Sequence, residues 1–201
     1  SASLVGSEMC IRDSDYGSGL AYDNKTLHAM KENDPDDRII YVRSLSQIFA
    51  SGMRLGYLIS PTRLSDSFAS VKRIADISTS GLTQRIFDYY LRNQLWRQHL
   101  TSLKQAYHQQ YQAVSSLLTE LWGNRLTWHE ADGAVWFWLK LNLPMSAAEF
   151  CTAARKAGVL VENGDRYYIH AAPHDRIRLS LAPVKEVDIA KGIKRLASLI
   201  P

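Results

Sequence analysis

Residues 37–61 read DRIIYVRSLSQIFASGMRLGYLISP, and the fold is decided in this stretch. Arg38–Val42 is a short run rich in β-branched and aromatic side chains, and Leu55–Ile59 is a second, closed by Ser60-Pro61. Both predict buried strands, because such side chains suit a pleated surface and proline ends a ladder. Between them, residues 44–54 form a loop of small hydroxyl residues that ends on Gly52 and Arg54. A phosphate ester would need hydroxyls, backbone N–H groups and a guanidinium converging on one point, and Ser44, Ser46 and Arg54 offer that set. The same residues also suit an ordinary solvated loop, so spacing alone leaves both readings open.

Working outward, the chain turns helical after Pro61, and from Trp96 to Trp122 its apolar positions recur at three- and four-residue spacings, which predicts a long amphipathic helix. Gly123-Asn124 supplies the stop. Arg125–Glu130 and Ala134–Leu141 read as paired strands around Asp132-Gly133. In the second of these, Trp136 and Trp138 fall on one face and Phe137 on the other. Ser146 and Glu149 have capping-box spacing for a helix to Lys156, with Gly158 past its end. Short strands at Val159–Glu162 and Arg176–Leu181 precede a last helix from about Lys185 to Ile200. The second half is therefore expected to be a compact α+β lobe.

Composition bounds the rest. With 201 residues, 46% hydrophobic and 22% charged, the chain has globular composition. No apolar run approaches the roughly eighteen residues of a membrane span, and a cytoplasmic location is expected. Cys10 and Cys151 have no metal-ligand spacing, and His99 and His108 lie nine apart rather than four, so no metal site is predicted. A net charge of +4 suits an anionic ligand, but no basic block marks a nucleic-acid surface. Residues 1–14, SASLVGSEMCIRDS, show neither alternation nor helical spacing; they read as a non-family, artefactual segment with no structural role.

The segment 37–61 resembles the part of aminotransferase-type domains in which a strand leads into Ser-x-Ser-Lys and then a Gly-x-Arg-x-Gly-Tyr-like ending. It is most similar to the aminotransferase-like effector domain of MocR-type regulators in the GntR superfamily. Residues 15–23, 79–85 and 175–180 resemble three further blocks of that family. The resemblance implies the C-terminal part of a fold-type I, pyridoxal-phosphate-dependent large domain over residues 15–95. A linking helix and small α+β C-terminal domain would occupy residues 96–201. It further implies that Ser44, Ser46 and Arg54 hold the phosphate of pyridoxal 5'-phosphate, that Tyr16 hydrogen-bonds the phenolic oxygen of its ring, and that Arg178 clamps the carboxylate of an amino acid or of its cofactor adduct. A homodimer is implied too, with DNA contacted only through a winged-helix domain outside these residues.

Two positions depart from the family pattern. The Schiff-base lysine falls at Gln47, whose carboxamide nitrogen is delocalised and neither basic nor nucleophilic. The aspartate expected to pair with the pyridinium nitrogen, two residues before Tyr16, is Ser14, with Asp13 and Asp15 on either side. Lys25, Lys31 and Lys72 are the nearest lysines and read as exposed loop or helix surface. The leading expectation is a non-catalytic, ligand-sensing domain. An aminotransferase in which Gln47 is a substitution or error, and a purely structural fragment, are the alternatives.

Overall fold

The structure, a computed structural model, describes residues 10–15, 17–22, 28–133, 135–181 and 185–199. The chain divides into two compact units, residues 1–104 and 105–201, with the boundary inside one long helix.

In the first unit, strands β1 (Ile11–Asp15), β2 (Ile39–Ser44) and β3 (Gly56–Ile59) form a sheet in that order. β1 runs parallel to β2, with Ile11 opposite Ile39 and Asp15 opposite Arg43, and β3 runs antiparallel, with Ser44 opposite Gly56. The segment expected to have no structural role thus contributes a strand. Its sequence IRDSD lacks apolar alternation, and what holds it is the backbone ladder plus polar contacts of Asp13 and Asp15, neither of which leaves a periodic signal. β2 begins one residue later and runs two residues further than predicted, into the hydroxyl-rich loop. Ile39 and Tyr41 are buried on its inner face. β3 was expected to be a buried strand, but all four of its residues are exposed, because it lies at the end of the sheet order. The helical stretch after Pro61 breaks in two, α1 (Ser65–Asp76) and α2 (Gly81–Arg92), at Ile77, whose φ of 59° cannot continue a helix. Neither helix has a buried residue.

Helix α3 (Leu95–Trp122) matches the predicted amphipathic helix, and Tyr111, Val114, Leu118 and Trp122 bury one stripe of it in the second unit. There β4 (Leu126–Thr127), β5 (Trp136–Leu141), β6 (Glu162–Asn163) and β7 (Arg176–Ser180) form an antiparallel sheet ordered β4-β5-β7-β6. The expected β4–β5 pairing is present, though β4 keeps only two residues. Phe137, Leu139, Leu141, Ile177 and Leu179 point to the core, against Phe150 and Ala154 of α4 (Ala147–Lys156) and Ile189, Ile193 and Leu196 of α5 (Glu186–Ala197). Fully burying each such large apolar side chain contributes roughly 1.5–3 kcal/mol. Helix α4 carries the predicted capping box: Ser146 Oγ accepts from the Glu149 N–H at 3.3 Å and the Glu149 carboxylate accepts from the Ser146 N–H at 2.8 Å. No helix among the described residues is long and apolar enough to cross a membrane, and no cluster of described residues could hold a metal ion.

Candidate functional site

Ser44 is the last residue of β2, and Ser46 opens the turn that follows, where the Phe49 N–H donates to the Leu45 carbonyl at 2.9 Å. The two hydroxyl residues sit close together, the Ser46 N–H donating to Ser44 Oγ at 3.3 Å. The loop is closed at its neck by the Leu45 N–H bonding the Leu55 carbonyl at 3.0 Å, with both leucines buried. That closure returns Arg54 to the same end of the sheet as Ser44 and Ser46. Arg54 adopts a left-handed conformation, φ 52° and ψ 41°, a strain of about 1–2 kcal/mol for a residue with a side chain. Its exposed guanidinium makes no ion pair among the described residues.

Ser44, Ser46 and Arg54 together line an open groove of about 830 Å³ in the first unit. Lys72, on the exposed surface of helix α1 as expected, also lines it. Its ammonium is engaged, at 2.9 Å from Asp76 and 3.0 Å from the Thr79 hydroxyl. The groove therefore presents three cationic side chains, Arg43, Arg54 and Lys72, and several hydroxyls, and it can accept an anion. Gln47 lies on the same turn, half-buried, but is not among the residues lining the groove. Tyr16 lies outside the described residues. Lys31 is paired with Asp34 and Asp37, each at 2.7 Å.

Ser14 stands opposite Val42, a groove-lining residue, whereas Asp13 and Asp15 alternate to the other face of the strand. The Asp13 carboxylate accepts from the Met30 N–H at 2.9 Å. Asp15 accepts from the Tyr41 hydroxyl, the Ser18 hydroxyl and the Ser18 N–H, with the Arg43 guanidinium 3.5 Å away. Burial works against the Asp15 charge, but these bonds outweigh it and hold its carboxyl below the usual range. Burial, reinforced by the hydrogen bond to Asp15, pushes the Tyr41 hydroxyl well above its ordinary value. This Asp15–Tyr41–Arg43 network escaped the sequence reading. The two-residue spacing of Tyr41 and Arg43 in a strand was the available signal that they share a face.

Arg178 lies on β7 in the second unit, opposite Glu162 of β6 and Trp138 of β5. Its Nη1 donates to Glu162 Oε2 at 2.9 Å and to the Tyr167 hydroxyl at 2.8 Å, and its guanidinium carbon sits 4.8 Å from the Trp136 ring centroid. Burial disfavours its charge, but Tyr167 and Glu162 more than compensate and raise its pKa. A guanidinium in this setting can bind a planar carboxylate side-on.

A strand ending in Ser-x-Ser, an arginine returned to the same end of the sheet, and an antiparallel return strand define the C-terminal part of a fold-type I, pyridoxal-phosphate-dependent transferase domain. The chain belongs to the aminotransferase class I and II family, whose pattern matches residues 9–196. It is 25% identical over 190 residues to aromatic-amino-acid aminotransferase 1 of Thermococcus litoralis, covering 94% of this chain and 45% of that protein. It is 27% identical over 192 residues to the HTH-type transcriptional regulator YcxD of Bacillus subtilis, covering 92% of this chain and 43% of the regulator. The chain therefore spans less than half the length of these relatives. Among solved structures, the kynurenine aminotransferase of Pyrococcus horikoshii superposes with a TM-score of 0.87 at 24% identity, over 94% of this chain and 47% of that one. LysN of Thermus thermophilus, complexed with N-(5'-phosphopyridoxyl)-L-leucine, superposes with a TM-score of 0.87 at 20% identity, over 94% and 49%. Pyridoxal phosphate is the cofactor of this family. The residues present fit its phosphate, through Ser44, Ser46 and Arg54 on one groove.

Proposed function

We propose that this chain is the ligand-sensing, aminotransferase-like part of a MocR-type transcription regulator, binding pyridoxal phosphate or its amino-acid adduct without turnover. Similarity to both regulators and aminotransferases supports the domain type. The observation that carries the non-catalytic reading is a carboxamide, Gln47, directly after the groove-lining Ser46, where the family resemblance calls for a lysine. When bound, the cofactor supplies an electrophilic aldehyde and an electron-withdrawing ring. Ser44 and Ser46 donate hydroxyl hydrogens to its phosphate, and Arg54 offsets the charge through a guanidinium that no described carboxylate neutralises. Tyr16 would donate to the phenolic oxygen, a role that rests on the family resemblance alone. Arg178 takes the carboxylate of the ligand. Gln47 can accept or donate a hydrogen bond at its position, but it can neither attack the aldehyde nor carry the substrate α-proton. Ser14, an uncharged residue on the groove side of β1, gives the pyridine nitrogen no anion to stay protonated against. Such a site holds its ligand and reports it, with the protein acting as a homodimer and reaching DNA through a separate winged helix.

The test is pyridoxal phosphate titration followed by borohydride and intact-mass measurement. The protein as it stands is expected to gain no stoichiometric adduct. Gln47→Lys is expected to gain one, as the new amine condenses with the aldehyde, loses water and is fixed by reduction. A stoichiometric reduced adduct on the unaltered chain would sink the non-catalytic reading. Turnover by Gln47→Lys with an amino acid and a 2-oxo acid would favour the alternative, an aminotransferase in which Gln47 is a substitution.

A further inference from the structure

Arg178 is held more firmly than a lone strand arginine needs to be. Both hydrogens of Nη1 are committed, to Glu162 and to the Tyr167 hydroxyl, and that hydroxyl itself donates to the same Glu162 oxygen, closing a triangle. The guanidinium plane rests on Trp136 at 4.8 Å, and the Tyr167 ring is braced edge-on by Trp138 at 5.5 Å. The backbone is shaped for this. After β6 the chain enters a short 3-10 helix, Gly164–Tyr167, and a Cβ at Gly164 would lie 2.6 Å from the Arg176 carbonyl oxygen, so only glycine lets this turn pack onto β7 and return Tyr167 over Arg178. Asn163 caps the turn by accepting from the Asp165 N–H at 3.0 Å. Among the described residues the Nε and Nη2 groups of Arg178 make no hydrogen bond.

We infer that Glu162 and Tyr167 are positioning residues that pin Nη1 and present the Nε–Nη2 edge of Arg178 as the carboxylate-binding edge, while the charge of Glu162 restrains how tightly that edge binds. This deepens, and rests on, the reading of Arg178 as the carboxylate clamp. A carboxylate arriving at the side-on edge gains two parallel charge-assisted bonds without displacing Glu162, but it lands near a second negative charge that is 46% exposed and so only partly screened. Glu162 thus sets affinity, and Tyr167 sets geometry.

The test compares two probes on the whole chain: N-(5'-phosphopyridoxyl)-L-leucine and its decarboxylated counterpart, N-(5'-phosphopyridoxyl)-3-methylbutylamine. The ratio of their Kd values isolates the carboxylate, and a general loss of folding weakens both probes and leaves the ratio alone. Glu162→Gln keeps the acceptor and removes the charge, and it should raise the carboxylate preference about twofold to fivefold. Tyr167→Phe should lower it about threefold. Arg178→Ala should bring the ratio close to unity. A Glu162→Gln ratio that is unchanged or lower, with Arg178→Ala still abolishing the preference, overturns the positioning inference alone. A preference that survives Arg178→Ala overturns the clamp reading and this inference with it, as does failure of the unaltered chain to bind either probe.

Discussion

Gly56 is the residue on which the geometry of the proposed phosphate site turns. It lies opposite Ser44, and a Cβ there would sit 2.7 Å from the Arg43 carbonyl oxygen, a backbone atom that no rotamer change can move away. Gly56→Ala must therefore push β2 and β3 apart just where Ser44 leaves the sheet. The expected cost is about 1–3 kcal/mol of stability, together with weakened binding of a phosphate ester, because Ser44 and Arg54 no longer face one point. Gly52, on the same loop, is the control: a Cβ there meets nothing within 4 Å, so Gly52→Ala should leave the melting temperature nearly unchanged. Melting curves of the two variants, with inorganic phosphate as the binding probe, check both expectations. The positions of Ser44, Ser46 and Arg54 were legible because they share one short loop. The reason for Gly56 was not, since a close approach between two backbones leaves only an unexplained glycine in the sequence.

At the scale of elements, β2 is anchored at its start by a small ionic node. Asp34, with a side chain only 4% exposed, accepts from the N–H groups of Arg38 and Ile39, both at 2.8 Å, and from the Lys31 ammonium at 2.7 Å. Asp37 accepts from the same ammonium and from the Thr62 N–H at 2.8 Å, tying the entry of β2 to the segment after β3. Desolvation raises the Asp34 pKa, but Lys31 and the two N–H groups overcome it and bring it down to about 2 from an ordinary 3.8. A carboxyl whose pKa falls on folding stabilises the native state above its unfolded value, and that stabilisation is lost as pH drops through the folded value. Asp34→Asn should therefore lower the melting temperature at neutral pH, and the gap from the unaltered protein should close between about pH 4 and about pH 2. A gap that persists unchanged at the acid end would exclude this origin. The same contrast between local and distant causes explains which elements could be read in advance. The α4 capping box is written within four residues, and the stripe of α3 repeats along its own helix. β1 is made by partners more than twenty residues away, and the break between α1 and α2 is made by the backbone of Ile77, a residue type that ordinarily continues a helix.

Across the whole molecule the two units differ in how much apolar surface they bury. The second has a closed core in which Phe137, Phe150, Leu118, Leu139, Ile177 and Ile193 are almost wholly inaccessible. In the first, α1 and α2 bury no residue, and Val71, Ile74, Ile77, Leu82 and Tyr89 are 62%, 87%, 82%, 70% and 64% exposed. Helices of twelve residues are marginal in water without an apolar face packed against something. Phe87 and Tyr90 of α2 pack on the Phe49 ring, at 5.1 and 4.7 Å between centroids, whereas α1 buries no residue and should open far more often than the strands of the second unit. Hydrogen exchange is expected to show amides of α1 exchanging at least about a hundredfold faster than those of β5 and β7. The same exposed face should bind a hydrophobic dye, and Ile74→Lys should reduce that binding while changing stability by no more than about 0.5 kcal/mol, because an exposed side chain has little packing to lose. Equal protection of the two units, or a large loss of stability on substituting Ile74, would mean that α1 is covered in solution. The groove proposed for the phosphate would then be more enclosed, since Lys72 and Val71 of that helix form part of its wall.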